Sequence, residues 1–512
     1  MVTRIPAKKA AQKPIQQPAR QKTDAASRTP AVTRERMSRV DTAWLRMDSP
    51  MNLMMILGVW IIKPGVSYPA VSQRIEERLL QYPRFGQRVE LDATGATWVT
   101  DTDFNIERHV VRETLPATSK GHEQQALQAR LGELAVQPLD MQHPLWQFHL
   151  VEHYQGGSAL MARIHHCIAD GIALIVVTQS MVDGGEGPPP PKASPEEGLD
   201  GVGAWLTDTL LKPFTTVAVT TLEAAGDGAA SALAMLRAPK KGIEKLVGKG
   251  LTGSAELARV AYQAMRDAGA LALMADDSPT RLKGMPGTTK RVAWCQPIPL
   301  DEVKAIGRAL NCSINDVLLS CVAGALGGYL HALGDDTAGK EIRAMVPVNL
   351  RPIEEAYQLG NRFGLAPVVL PLGLANPVER VYEVRRRMGE MKGSLQPLLT
   401  FGLLAVAGLL VKPAQDAMLS LFSRKTTAVM TNVPGPREKL KFCGATLEQD
   451  LVWVPQSGTV GLGVSILSYG GGVQFGVISD ATLCPDPQKI IEKFEPEFAK
   501  LTLLALMLPW GE

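Results

Sequence analysis

Between Gly184 and Gly201 the chain reads GGEGPPPPKASPEEGLDG, and no other stretch constrains its fold so strongly. The prolines lack the N–H that a helix interior or a paired strand needs, and the glycines and charges around them bury nothing. Ordered chain must therefore form on both sides of a linker. With 512 residues, more than one hydrophobic core is expected in any case. The division that follows is a disordered tail at 1–36, a domain at 37–183, a linker with a bridging alanine- and leucine-rich helical region at 184–287, and a second domain at 288–512.

Composition removes several function classes. A net charge of +3 provides no basic field for nucleic acid, and no aromatic-interleaved basic stripe or paired Cys/His motif accompanies it. Cys167, Cys295, Cys312, Cys321, Cys443 and Cys484 are too scattered for a zinc site, so no metal is expected. They read as reduced thiols in a cytoplasmic compartment. The first thirty residues have no apolar core of the signal-peptide kind. Their proline, glutamine and basic content reads as an unstructured extension, with Lys8, Lys9, Lys13, Arg20 and Lys22 open to loose attraction by an anionic membrane. The longest apolar run, 398–411, falls short of the roughly 20 residues a bilayer requires. It reads either as a buried helix or as one lining a lipid pocket or touching a membrane.

Periodicity places the remaining elements. A buried strand fits MNLMMILGVWII, and helices fit 68–81 and 120–135. Trp146–Glu152 and Ser158–Ile164 read as strands joined by a YQGG hairpin turn, followed by a helix at 172–181. In the second half, strands are expected at 292–300, 341–348, 364–370, 427–433, 460–467 and 473–478. Helices capped by Asp301 and Ser313 are expected in between, with others at 376–392 and from Pro487. The pattern is α/β, without the early glycine-rich turn of a dinucleotide fold.

The hairpin's second strand runs directly into His165-His166-Cys-Ile-Ala-Asp170-Gly171. Neighbouring residues of a strand point to opposite sides, so one imidazole can enter a cleft while the other is held inside the protein. A histidine base suits proton removal from a hydroxyl and its return to a leaving group. Gly171 leaves room beside it. The alternative reading is two satisfied histidines and a helix-capping Asp170.

HHCIADG matches the HHxxxDG signature of a superfamily of acyltransferases and condensation domains. The ordered chain, 37 to 510, resembles the bacterial wax ester synthase/acyl-CoA:diacylglycerol acyltransferase family more closely. That resemblance rests on Ser38-Arg-Val-Asp41, Pro138-Leu-Asp140, Pro144-Leu145-Trp146, Asn315-Asp316 and Thr431-Asn-Val-Pro-Gly435-Pro436. It implies two chloramphenicol-acetyltransferase-like domains with mixed sheets and an active-site tunnel at their interface. It further implies acyl transfer from a long-chain acyl-CoA, itself a substrate with no cofactor needed, to a fatty alcohol or diacylglycerol. His166 would be the general base, His165 an orienting residue, and Asp170 a structural one paired with an arginine. Asn315 would either donate to an oxyanion or hold a helix start, and Asp316 would be structural. Pro144, Leu145 and Trp146 would shape the substrate site, the tryptophan being alternatively an ordinary large core residue, and Gly435 would form a rigid turn beside that site. Lys283, Lys290 and Arg291 are positional candidates for CoA phosphates. Localisation would be cytoplasmic, or peripheral on the inner membrane or on lipid inclusions. A condensation-type acyltransferase and a non-catalytic lipid-surface protein are the alternatives.

Overall fold

The computed structural model describes residues 33–92, 95–116, 121–188, 274–351, 355, 357–391, 394, 396–410 and 412–507, apart from the side chain of Leu421. The bridging helical region and most of the proline-rich linker lie outside them. Among the described residues the chain forms a mixed α/β fold around a six-stranded and a seven-stranded sheet, with a small three-stranded sheet beside them.

The six-stranded sheet is centred on the strands Met55–Lys63 and Gly157–His165, which pair antiparallel from Met55↔His165 to Ile62↔Ser158. Both are rich in β-branched and aliphatic residues and buried along nearly their whole length, as strands covered on both faces must be. The hairpin turn at Gln155 and Gly156 takes positive φ values of 49° and 75°, a geometry that glycine adopts without steric cost. Trp146–Tyr154 lies on the other side of the motif strand, so register alone delivers His165 to the end of the sheet.

Two features depart from the expected division. Arg34–Arg36, placed by the sequence reading in the tail, forms a strand against Gly95–Thr100. Lys441–Phe442 and Ala445–Trp453, from the second half of the chain, join the first sheet, with Trp453 opposite Leu57. The six-stranded sheet is therefore built by both halves of the chain, and the linker does not separate two self-contained sheets.

The seven-stranded sheet runs in the order Phe363–Pro371, Glu341–Asn349, Ala428–Pro434, Leu462–Tyr469, Gly472–Asp480, Lys290–Trp294, and Ile298–Pro299 also pairs with Gly472–Asp480. The strand expected over 292–300 is broken at this point, because Pro297 and Pro299 have no N–H to give a neighbour. Asp301 is not the cap of the next helix, Leu300–Ala309. Pro299 holds that position, and Asp301 lies in the first turn, where its charge still meets the helix dipole favourably. Ser313 does cap Ile314–Ala332, in a reciprocal capping box with Asp316.

Residues 398–407 of the apolar run lie in the helix Gln396–Ala407, which packs on Phe363–Pro371 and on the opening helix Arg39–Arg46. Among the described residues no single helix is long and apolar enough to cross a membrane.

Candidate active site

His166 follows the motif strand, and its backbone N–H donates to the Met54 carbonyl at 2.7 Å. Its imidazole is 4% exposed, stacked on the Trp44 indole with centroids 4.3 Å apart and planes 10° from parallel. Phe363 approaches from another side at 5.4 Å. His165 faces elsewhere. Its Nε2 lies 3.3 Å from Asp48 Oδ1, and its Nδ1 accepts the Cys167 N–H at 3.1 Å. The two rings thus have separate tasks, with His165 tying the motif strand to the loop before Met55.

Hydrogen bonding fixes the tautomer of His166. Asn361 Nδ2 donates both to Asp41 Oδ1 and to the His166 carbonyl, each at 2.7 Å, and the Asn361 backbone N–H also donates to Asp41 Oδ1 at 3.0 Å. Turning the amide over would set its oxygen against two acceptors, so Oδ1 must be the atom 2.9 Å from His166 Nδ1. An oxygen there requires a proton on Nδ1. The lone pair therefore sits on Nε2, for which no partner is found among the described residues. Asp41, Asn361 and His166 form a relay that leaves one imidazole nitrogen poised to accept a proton.

Burial pushes the His166 pKa down to about 4, against weaker pulls from Asp170 and Asn361, so the ring is neutral at pH 7. Burial likewise pushes Asp41 up to about 6, opposed by the Asn361 and Ser38 hydrogen bonds and the charge of Arg84. Cys167 is buried, and burial also raises its thiol pKa. A thiol so protonated is a poor nucleophile.

Asp170 organises the loop after the base. One carboxylate oxygen accepts the Ala173 N–H and caps the helix Gly171–Met181; the other accepts the Arg362 N–H at 2.9 Å and lies 3.1 Å from Arg351 Nη2. Arg351, 4% exposed, also donates to the carbonyls of Gly360 and Gln358. A backbone bridge, Ala169 to Gly360, runs alongside. These contacts clamp the motif to the loop that carries Asn361. Gly171 is open: a Cβ built there meets nothing within 4 Å.

Some expected site residues lie elsewhere. Trp146 is 0% exposed, enclosed by Phe85, Phe104, His109 and Phe148, and its Nε1 donates to the Phe85 carbonyl. Pro144 and Leu145 are buried too, and Leu145 reaches the site through its carbonyl, which accepts the His165 N–H at 2.9 Å. These three belong to the packing beneath the motif. Asn315 is exposed and accepts from Asn432 Nδ2 at 2.9 Å, which joins two of the sequence motifs to each other but not to His166. Gly435 allows a close crossing, since a Cβ there would lie 2.6 Å from the Ser468 carbonyl oxygen. Lys290 is buried and donates to Asn52 Oδ1, and Lys283 donates to the Thr426 carbonyl, so both cations are already engaged inside the protein. Arg291 alone of the three is exposed.

Residues 37–318 match the wax ester synthase/diacylglycerol acyltransferase catalytic domain, and residues 359–502 match the WS/DGAT C-terminal domain. The chain belongs to the wax ester synthase/diacylglycerol acyltransferase family. It is thus an acyltransferase of lipid metabolism. A probable diacylglycerol O-acyltransferase of Mycobacterium tuberculosis is 26% identical over 451 residues, covering 86% of this chain and 89% of that protein. A putative diacylglycerol O-acyltransferase of Mycobacterium bovis aligns over the same span with the same identity. Among solved structures, the wax ester synthase/diacylglycerol acyltransferase of Marinobacter aquaeolei superposes with a TM-score of 0.60 at 20% identity, covering 92% of this chain and 100% of that one. The first condensation domain of the calcium-dependent antibiotic synthetase gives 0.54 at 14% identity, covering 93% and 97%. At such identities both likenesses speak for the fold. For this member of the family, the residues that sequence reasoning did not single out are Trp44, Asn361, Phe363 and Arg351. Asp41 was noted only as part of an opening motif.

Proposed function

We propose that the protein transfers a long-chain acyl group from acyl-CoA to the hydroxyl of a diacylglycerol or a long-chain alcohol, with His166 as general base. The observation that carries this reading is the Asp41–Asn361–His166 relay, which leaves the Nε2 lone pair free on a buried, neutral imidazole. In this reading the acceptor's O–H proton passes to Nε2 as its oxygen attacks the thioester carbonyl. The C–S bond then breaks, and the thiolate recovers the proton from Nε2 to leave as CoA. Imidazolium formed in between is stabilised by Asp41 through the Asn361 amide and by the face of Trp44. The base lies where both halves of the chain meet, which suits the chloramphenicol-acetyltransferase-like plan of substrates joining in a tunnel. The names borne by the mycobacterial relatives favour diacylglycerol as one acceptor.

The test is CoA release from palmitoyl-CoA in the presence of dipalmitoylglycerol or hexadecanol, with products identified by mass. Acceptor-dependent release with triacylglycerol or wax ester formed is the expected result. Release that no hydroxyl acceptor stimulates would overturn the reading.

Two further expectations follow from the site. Cys167→Ala should leave kcat essentially unchanged, because a buried thiol carries no acyl group here, and should cost only about 1 kcal/mol of stability. A large fall in kcat, or acylated Cys167 in a quenched reaction, would instead point to a covalent route. The pH profile of kcat should fall on the acid side near pH 6. His166 stays unprotonated down to about 4, but Asp41, raised to about 6, loses the charge that stabilises imidazolium as pH drops through that value. Asp41→Asn should lower the plateau and remove that limb; a limb that persists unchanged would assign it to another group.

A further inference from the structure

Of the cations first suited to hold CoA phosphates, Lys283 and Lys290 are engaged within the protein, and Arg291 alone is a single charge for the highly charged end of the proposed donor. A groove of about 740 Å³ offers a seat for it. It is lined by Lys304 and Arg308 from the helix Leu300–Ala309, by Arg385 from the helix Pro377–Met391, and by the turn Asn311–Ile314. Lys304 is paired with Asp301. Arg308 and Arg385 are exposed and within salt-bridge distance of no carboxylate among the described residues. The lining's one carboxylate, Asp316, is turned inward to the Ser313 N–H in the capping box. In the first turn of Ile314–Ala332 the Asp316 and Val317 N–H groups are taken by Ser313, which leaves those of Ile314 and Asn315 for a ligand.

A chain of contacts links this groove to the surroundings of the base. Asn315, next to the lining residue Ile314, is hydrogen-bonded to Asn432 in the strand Ala428–Pro434. That strand pairs with Glu341–Asn349 only at Ala344↔Ala428 and Met345↔Val429. Beyond those pairs the two strands turn to their other neighbours, Asn432 to Ile466 and Asn349 to Phe363. The sheet is thus unzipped between them at the end where Phe363 meets His166. Amide side chains stand at one lip of the gap and the base lies beyond the other.

We infer that the groove formed by Arg308, Arg385 and the start of Ile314–Ala332 binds the phosphates of the acyl-CoA donor, whose pantetheine arm passes Asn315 and Asn432 through the gap toward His166. This rests on the acyl-CoA reading above and assigns its donor site. Guanidinium forks match phosphate oxygens, and the amides match the amide groups of pantetheine.

The test compares palmitoyl-CoA with palmitoyl-pantetheine, which keeps the thioester and amides but has no phosphates. Arg308→Glu and Arg385→Glu should each raise KM for palmitoyl-CoA at least tenfold, change kcat little, and leave KM for palmitoyl-pantetheine unaltered. Calorimetric titration with CoA alone should show the same loss of affinity, independently of any acceptor. Equal effects on both thioesters, or CoA affinity untouched by either substitution, would overturn the assignment. Arginine-dependent CoA binding by a protein that acylates neither acceptor would uphold the site and sink the acceptor reading instead.

Discussion

Replacing His166 with alanine should lower kcat by about 10²–10⁴-fold, the range a positioned general base supplies, while KM for the acyl donor changes little. The argument rests on proton placement. Asn361 presents its oxygen to Nδ1 because its nitrogen is committed to Asp41 and to the His166 carbonyl, and this leaves Nε2 as the basic atom. Among the described residues no neighbouring group is placed to substitute: His165 is held between Asp48 and the Cys167 N–H, and Cys167 is buried with a raised thiol pKa. The substitution does disturb packing, since it leaves the Asn361 oxygen without its donor and opens space beside Trp44. A buried acceptor stripped of its partner costs about 1–3 kcal/mol, so a lower melting temperature with a cooperative transition is expected. His166→Gln, which keeps an amide in the space, should melt closer to the wild type and be just as inactive. A variant with near-normal kcat would remove His166 from the chemistry.

Much of this architecture was legible in the sequence, for identifiable reasons. The hairpin Trp146–His165 announces itself by two aliphatic runs about a glycine turn, and the motif at its end inherits its position from strand register. Ser313 and Asp316 are three residues apart, so their capping box is a local signal. The strand Ala445–Trp453 was not legible. Glu448, Gln449 and Asp450 interrupt its apolar alternation at a bulge between Leu447 and Gln449, and Asp450 is accommodated only because Trp60 Nε1 donates to it from another strand. Asn361 escaped for a related reason. It lies 195 positions from His166, and an asparagine after a glycine reads as an ordinary turn. What makes it part of the site is a buried carboxylate 320 positions away that dictates which way its amide faces. For Trp146 the sequence leaves two readings open, a substrate wall or a large core residue, and its full enclosure favours the second.

Arg351→Ala should be the most destabilising single change near the site, with an expected loss of about 3–5 kcal/mol, because it leaves a buried carboxylate without its counter-charge. Asp170 would keep the N–H groups of Ala173 and Arg362, which soften the loss but supply no full positive charge. Arg351 also holds the carbonyls of Gly360 and Gln358, so the turn that presents Asn361 loses its tether at the same time. Activity should therefore fall even in the fraction that remains folded, through a displaced amide and a base whose tautomer is no longer fixed. The double variant Arg351→Ala with Asp170→Asn separates the two effects. Without the carboxylate charge, stability should recover by a substantial part of the loss, whereas kcat should not, since the tether to Gly360 is still missing. Urea unfolding of the wild type, both single variants and the double variant measures the coupling directly. Additive losses would mean that Asp170 and Arg351 do not act as a pair. A double variant with restored kcat would mean that the clamp matters only for folding.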